Sequence, residues 1–450
     1  MANKKYDVFV IGGGSAGQAV ANSCANEGLK VAITEKREYG GTCPLRGCDP
    51  KKVLLASTEV LELATDMKGK GVLNIPEFSW KQMQKFKTSF TKPIPSGSID
   101  NLKDNGVDIY EGNASFLTEN TLSVGDKIIE ASKIVIATGL KPIELPIDGA
   151  KYMKTSEDFL SLKKLPKSMV FVGGGYIGME FAHIAARCGV KVTVIHSHEK
   201  PLDGFDPDLV DKLIAYSKEL GIKFILDAKV DKVVKGKKKF KVHFNTDNSK
   251  AEHVKAKMVF NTAGRVPNIE SLAVENGNVT EGKKGLAVND YLQSTTNKSV
   301  YICGDVSDHG LPLTSMTGPE SKTVIANIVN GNKTKIDTPV IPSVVYTLPN
   351  MASVGYSEEE AKKRYKNVIV NFDIATDWFN AGRINAPLYG FKIIINERTN
   401  EIVGAHIVGP HAGETINLFS MAIKMGMTTD DVKEVVFTYP SWSYDLNKML

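Results

Sequence analysis

Cys43 and Cys48 stand with four residues between them in the run Gly40-Gly41-Thr42-Cys43-Pro44-Leu45-Arg46-Gly47-Cys48-Asp49-Pro50-Lys51-Lys52. Two thiols at that spacing suit reversible dithiol–disulfide exchange, part of a metal site, or an inert structural pair. A zinc site needs more ligands, and no second Cys or His pair lies nearby in the sequence. Arg46 would lower the pKa of a neighbouring thiol, and Asp49 would raise it. The chain has only five cysteines, the others being Cys24, Cys188 and Cys303. That is too few and too scattered for a secreted disulfide framework. Cys24 and Cys188 fall on predicted helices and Cys303 on a predicted strand, so all three read as small buried side chains.

The cysteine run must be positioned by what precedes it. Residues 6–11 (YDVFVI) form an apolar run of the kind expected of a buried parallel strand. Gly12-Gly13-Gly14-Ser15-Ala16-Gly17 follows and opens a helix that ends near Gly28. Residues 31–34 form the next strand, with Glu35 at its end. In such a turn the first glycine permits the tight bend and the second lets the backbone approach a pyrophosphate. The third allows close helix–strand packing, and the terminal acid accepts hydrogen bonds from a ribose. The pattern recurs: strand 169–172, the turn Gly173-Gly174-Gly175-Tyr176-Ile177-Gly178, a helix to Cys188, then strand 190–195. Two such units imply two dinucleotides. The second strand ends in His196-Ser197-His198-Glu199-Lys200 rather than in an acid, which favours a 2′-phosphate and hence NADPH, with NADH as the alternative. His196 and His198 otherwise read as exposed loop residues.

The remaining chain is ordinary in composition. Its 450 residues are 42% hydrophobic and 24% charged, with a net charge of +5. Length alone suggests two to three domains with a sizeable core. The densest basic run, Lys235 to Lys241, reads as a solvated hairpin turn rather than a nucleic-acid surface. No apolar run approaches a membrane span, and the first residues lead directly into a strand without a signal peptide. A cytoplasmic location is therefore expected. A helix is predicted from about Lys51 to Lys68, and strand-rich segments near 107–116 and 134–137. From about Val340 strands at 341–347, 392–396 and 402–408 precede a helix at 413–425, which indicates a third, α+β domain.

With these residues in place the chain resembles the class I pyridine nucleotide-disulfide oxidoreductases, the family of glutathione reductase, dihydrolipoyl dehydrogenase and mercuric reductase. The family pattern GGTCxxxGCxPxK stands here as Gly40 to Lys52. Ala137-Thr138-Gly139, Ala263 to Asn268 and Cys303-Gly304-Asp305 resemble three further family motifs. The resemblance implies two Rossmann-like α/β domains, for FAD (1–148 and 268–336) and NAD(P)H (149–267), and a dimerisation domain (337–450). It implies FAD held by Gly12, Gly14, Ser15, Ala16, Gly17, Glu35, Lys36, Gly41, Thr42, Lys52, Ala114, Thr138, Gly139 and Asp305. NAD(P)H would be held by Gly173, Gly175, Tyr176, Ile177, Gly178, Glu180, His196, Ser197, His198, Lys200, Gly264 and Arg265. By the same resemblance Cys43 is the interchange thiol and Cys48 the flavin-side thiol. Lys52 would lie at the flavin edge paired with Glu180, and Tyr176 would cover the nicotinamide pocket. The implied assembly is a homodimer that shares its active sites, passes electrons to a small-molecule acceptor and holds no metal.

The pattern breaks in two places. Asp49 stands where the family has an apolar residue. The family's C-terminal His and Glu, the acid–base pair of thiol exchange, are replaced by Tyr439 and Tyr444, and no histidine follows His411. A phenol donates a proton but is a poor base near neutrality. The favoured reading is reduction of a disulfide or similar electrophile through Cys43 and Cys48. The alternatives are a quinone, oxygen or metal-ion reductase working from the flavin, and a non-enzymatic redox sensor.

Overall fold

A computed structural model describes residues 4–246, 252–337 and 340–450; Met1-Ala2-Asn3, the start of the lead into the first strand, lies outside these residues. The chain divides into two compact units. One comprises Met1–Lys51, Lys85–Ile143 and Arg265–Thr338, and the other Lys52–Gln84, Glu144–Gly264 and Pro339–Leu450. The sequence leads to the expectation of a nicotinamide-binding domain (149–267) and a dimerisation domain (337–450); residues 149–264 and 340–450 pack in the second unit. The physical reason is a shared core, in which Met179, Leu209 and Leu213 pack with Val345, Met351, Leu388 and Val408.

In the first unit the apolar run becomes strand Lys4–Ile11, buried over its last four residues. It pairs in parallel with Val31–Glu35 on one side and Lys127–Ile136 on the other. Helix Ser15–Asn26 makes the crossover between the first two strands. Asp108–Glu111 and Val300–Ile302 add parallel strands at either side, and Ala114–Thr118 and Thr121–Val124 continue the sheet antiparallel. The late strand Val300–Ile302 returns to a sheet begun at residue 4, so this unit is discontinuous in sequence. Both glycine turns and the Cys303-Gly304-Asp305 stretch follow the carboxyl ends of parallel strands, where open α/β sheets bind ligands.

The second unit repeats the theme with Lys223–Ile225, Lys191–Ile195, Ser168–Val172 and Met258–Asn261, all parallel. The basic run caps the antiparallel pair Ala228–Lys235 and Phe240–Thr246, with the Gly236 N–H donating to the Lys239 carbonyl at 3.0 Å. It is the hairpin turn that its composition suggested. The C-terminal part holds a five-stranded antiparallel sheet in the order Ser343–Val345, Asn350–Gly355, Ile402–Gly409, Gly390–Asn396, Val368–Ile374, with helix Ala412–Lys424 against it. Asn350–Gly355 and Val368–Ile374 escape the sequence reading. Gly390–Asn396 and Ile402–Gly409 are buried at every position. Lys392 on the first of them is therefore only 2% exposed, and its ammonium pairs with Asp206 at 2.9 Å, Glu358 at 3.1 Å and also Asp208. Among the described residues no helix is long and apolar enough to cross a membrane.

Candidate redox site

The first glycine turn brings the cysteine run into place. A Cβ on Gly41 would sit 2.5 Å from the Gly14 Cα, so the two backbones pass each other only because residue 41 is glycine. Gly41 also has φ +75°. Directly after it, Thr42–Arg46 forms one helical turn carrying Cys43. The chain breaks at Gly47, and helix Cys48–Asp66 starts at the second thiol.

That start point shapes the chemistry of Cys48. A thiolate at a helix N-terminus faces the positive end of the macrodipole. Cys48 is held down to about 6, chiefly because it accepts a hydrogen bond from Cys43, with Thr314 and the charge of Lys51 adding to the effect. Its Sγ lies 3.7 Å from the Thr314 Oγ1. Cys43 moves the opposite way, pushed up first by its bond to Cys48 and then by burial. The Cys43 Sγ also lies 4.0 Å from the Asp49 Oδ1, so its single proton can turn either to the Cys48 sulfur or to this carboxylate. The pair is thus polarised in opposite directions, Cys48 toward thiolate and Cys43 toward thiol, as a two-electron dithiol requires before reaction. All five cysteines are free. Cys24 and Cys303 are 0% exposed and Cys188 8%. Burial pushes Cys24 and Cys188 up to about 12 and raises Cys303 as well. Cys188 and Cys303 lie one residue past their helix and strand rather than within them.

Several predicted partners are placed differently. Arg46 pairs with Glu38 at 2.7 Å, which offsets its pull on the thiols. Lys52 pairs with Glu59 at 2.9 Å with 48% of its side chain exposed, and lies over the Tyr346 ring. The buried lysine is its neighbour Lys51, 8% exposed. Successive helical residues point about 100° apart, so the two lysines face different surroundings. Thr314 was missed, as no motif marks it. Glu180 is buried and accepts from the Tyr346 N–H at 2.9 Å. Tyr176 begins helix Tyr176–Arg187, with Ile177 and Gly178 following it. Ala114 points its side chain into the core, so only its backbone can serve a ligand.

The residues fit a dinucleotide at both turns. In the first, Glu35 Oε2 accepts the Gly13 N–H at 2.8 Å. Thr138 Oγ1 is buried without a hydrogen-bond partner, a cost of about 1–3 kcal/mol that a bound group could relieve. Beside it Gly139 has φ +65°. Arg265 pairs with Asp305 at 3.3 Å, and Lys36 reaches Asn268 at 2.9 Å. Gly12 and Gly17 cannot carry a Cβ, which would stand 2.4 Å and 1.9 Å from backbone oxygens. Gly173 and Gly178 repeat this at 2.4 Å and 2.2 Å. Gly14 and Gly175 are different: a Cβ on Gly14 meets nothing closer than 3.8 Å, and one on Gly175 meets nothing within 4 Å. Alanine at either is expected to leave the thermal midpoint of the cofactor-free protein unchanged. Gly14→Ala should weaken FAD retention, and Gly175→Ala should raise KM for NAD(P)H, each roughly ten- to hundredfold for the hydrogen bonds displaced. Flavin absorbance per protein and steady-state KM measure these effects. A fall in thermal midpoint with unchanged ligand binding would contradict the assignment.

His196 corrects a second expectation. It is buried, and its Nδ1 accepts the Gly174 N–H at 3.1 Å. It thus repeats in the second turn what Glu35 does in the first, and burial pushes its pKa down. It is a neutral acceptor to the glycine turn, not an exposed cation awaiting a phosphate. Its Nε2, which then carries the proton, points toward Asp203 at 3.7 Å, and His198 Nδ1 lies 3.3 Å from the same carboxylate. His196, His198 and Asp203 are close enough to hold a metal ion. The tautomer fixed by Gly174 removes the lone pair that Nε2 would need for one. Lys200 pairs with Asp211 at 2.6 Å. Ser197 lines a separate cavity with Asp227 and Lys229.

The C-terminal run forms an aromatic cluster. Tyr439, 64% exposed, lies edge-on to Tyr444 at 4.9 Å and beside Phe379 at 6.3 Å.

Comparison with known proteins identifies the family. Residues 6–330 match the family described as pyridine nucleotide-disulphide oxidoreductase, and residues 341–450 match its dimerisation domain. A glutathione reductase of Nostoc sp. is 32% identical over 97% of this chain and 97% of its own. A mercuric reductase of Staphylococcus aureus is 30% identical over 96% of this chain and 80% of its own. The solved Cu(II) complex of the HOCl-induced flavoprotein disulfide reductase RclA from Escherichia coli is 27% identical, covers 100% of this chain and 99% of its own, and superposes with a TM-score of 0.89. The chain therefore belongs to the pyridine nucleotide-disulfide oxidoreductases, flavoenzymes whose members use FAD and NAD(P)H.

Proposed function

We propose that the protein is a homodimeric reductase that takes electrons from NAD(P)H and delivers them through Cys48 and Cys43 to a disulfide or similar small electrophile. The observation that carries this reading is the placement of the pair: Cys48 at a helix start with its Sγ 3.7 Å from the Thr314 Oγ1, and Cys43 on the single helical turn before it. Bound FAD would supply the two-electron relay between nicotinamide and sulfur. Gly12, Gly14, Gly17, Gly41, Glu35, Thr138 and Asp305 hold it in this reading, and Lys51 supplies the buried cation that supports the Cys48 thiolate. Gly173, Gly175 and Gly178 receive the nicotinamide coenzyme. The Asp203 carboxylate beside His196 and His198 opposes a 2′-phosphate, so NADPH and NADH belong in parallel assays.

Anaerobic titration with either coenzyme tests the reading. Two electrons per subunit should give thiolate-to-flavin charge-transfer absorbance and two new titratable thiols. Full flavin bleaching with no gain of thiols would overturn it.

A second reading, reduction of a soft metal ion, is favoured by the C-terminal run without histidine and by the likeness to a mercuric reductase and a copper-bound reductase. Two sulfurs side by side suit such an ion. An acceptor screen with glutathione disulfide, lipoamide, coenzyme A disulfide, quinones, Hg(II) and Cu(II) separates the two readings.

A further inference from the structure

We propose that Asp49 is the acid–base residue of thiol exchange in this protein, acting directly on the sulfur of Cys43; the inference rests on the disulfide-reductase reading above. Three observations converge on it. The Asp49 Oδ1 lies 4.0 Å from the Cys43 Sγ, with the thiol in position to donate. Asp49 occupies the first turn of helix Cys48–Asp66, so the same turn that presents the Cys48 sulfur also aims this carboxylate. The C-terminal run offers two phenols and no imidazole, and no histidine follows His411. The exchange still needs a group that takes one proton and returns it.

The step balances with the groups present. The Cys43 sulfur attacks one sulfur of an acceptor disulfide while its proton passes to the Asp49 carboxylate. The acceptor S–S bond breaks, a Cys43 mixed disulfide forms, and the departing thiolate takes the proton from Asp49. The Cys48 thiolate then attacks the Cys43 sulfur. This closes the Cys43–Cys48 disulfide and releases the second half of the acceptor as a thiolate, which takes a proton from water. Two electrons leave the dithiol and two thiol products result. The carboxylate also sets a preference. An acceptor rich in carboxylates meets like charge at the attacking sulfur, whereas a neutral or cationic disulfide does not.

The test uses the NAD(P)H-reduced holoenzyme and two readouts that a purely electrostatic role would move together. In Asp49→Asn, disulfide turnover at pH 7 should fall roughly a hundredfold, and its rate should then climb with pH as solvent base substitutes. Alkylation of Cys43 by iodoacetamide at pH 7, resolved by peptide mass spectrometry, should instead become several-fold faster, because a negative neighbour has been removed. Asp49→Glu should restore part of the turnover, and Asp49→Ser guards against a variant that fails to fold. Faster alkylation with turnover equal to or above the parent would overturn the proposal, as would a loss of turnover whose pH profile matches the parent. If the parent itself gains no thiols on reduction, the disulfide-reductase reading fails instead.

Discussion

Cys48→Ser is expected to lower disulfide turnover by on the order of a thousandfold or more, the scale on which removal of an essential nucleophile acts. Cys43 can still attack an acceptor, but nothing remains to resolve the mixed disulfide. Intact-mass analysis after one exposure to acceptor should therefore find a single acceptor half on Cys43. The thiolate that gives charge-transfer absorbance should be absent, because Cys48 is the sulfur held down to about 6. Cys43→Ser removes the attacking thiol and should form no adduct at all. Quinone turnover read on the same two variants tests the flavin-direct alternative. Disulfide turnover of Cys48→Ser within about tenfold of the parent would exclude the dithiol route.

Lys392→Met is expected to be the most damaging substitution for stability. The side chains of Lys392 and Asp206 are 3% and 1% exposed. Removing one partner of a buried ion pair costs about 3–5 kcal/mol, since the remaining charge is stranded. The first thermal transition should fall by on the order of ten degrees. Adding Asp206→Asn should recover more than half of that loss: it removes the stranded charge and keeps an acceptor for the N–H groups of Asp208 and Leu209, which Asp206 caps. A double variant no better than Lys392→Met alone would mean that lost packing, not charge, dominates.

The legible parts of this protein were those fixed by spacing along the chain. Glu35 reaches Gly13 across 22 residues, and His196 reaches Gly174 across the same 22. The position of His196 was therefore readable, but its state was not, because burial that neutralises an imidazole leaves no trace in local sequence. Lys51 and Lys52 pose the same difficulty within one helix. Thr314 is 266 residues from Cys48, and only the fold brings them together. Asn350–Gly355 (NMASVG) escaped because small residues give a weak strand signal. Lys392 was readable as a strand residue, yet nothing nearby in sequence revealed that both faces of its strand are covered.

The three remaining cysteines, Cys24, Cys188 and Cys303, are walled into apolar surroundings and held as thiols. A thiol-selective electrophile thus finds two addressable cysteines, Cys43 and Cys48.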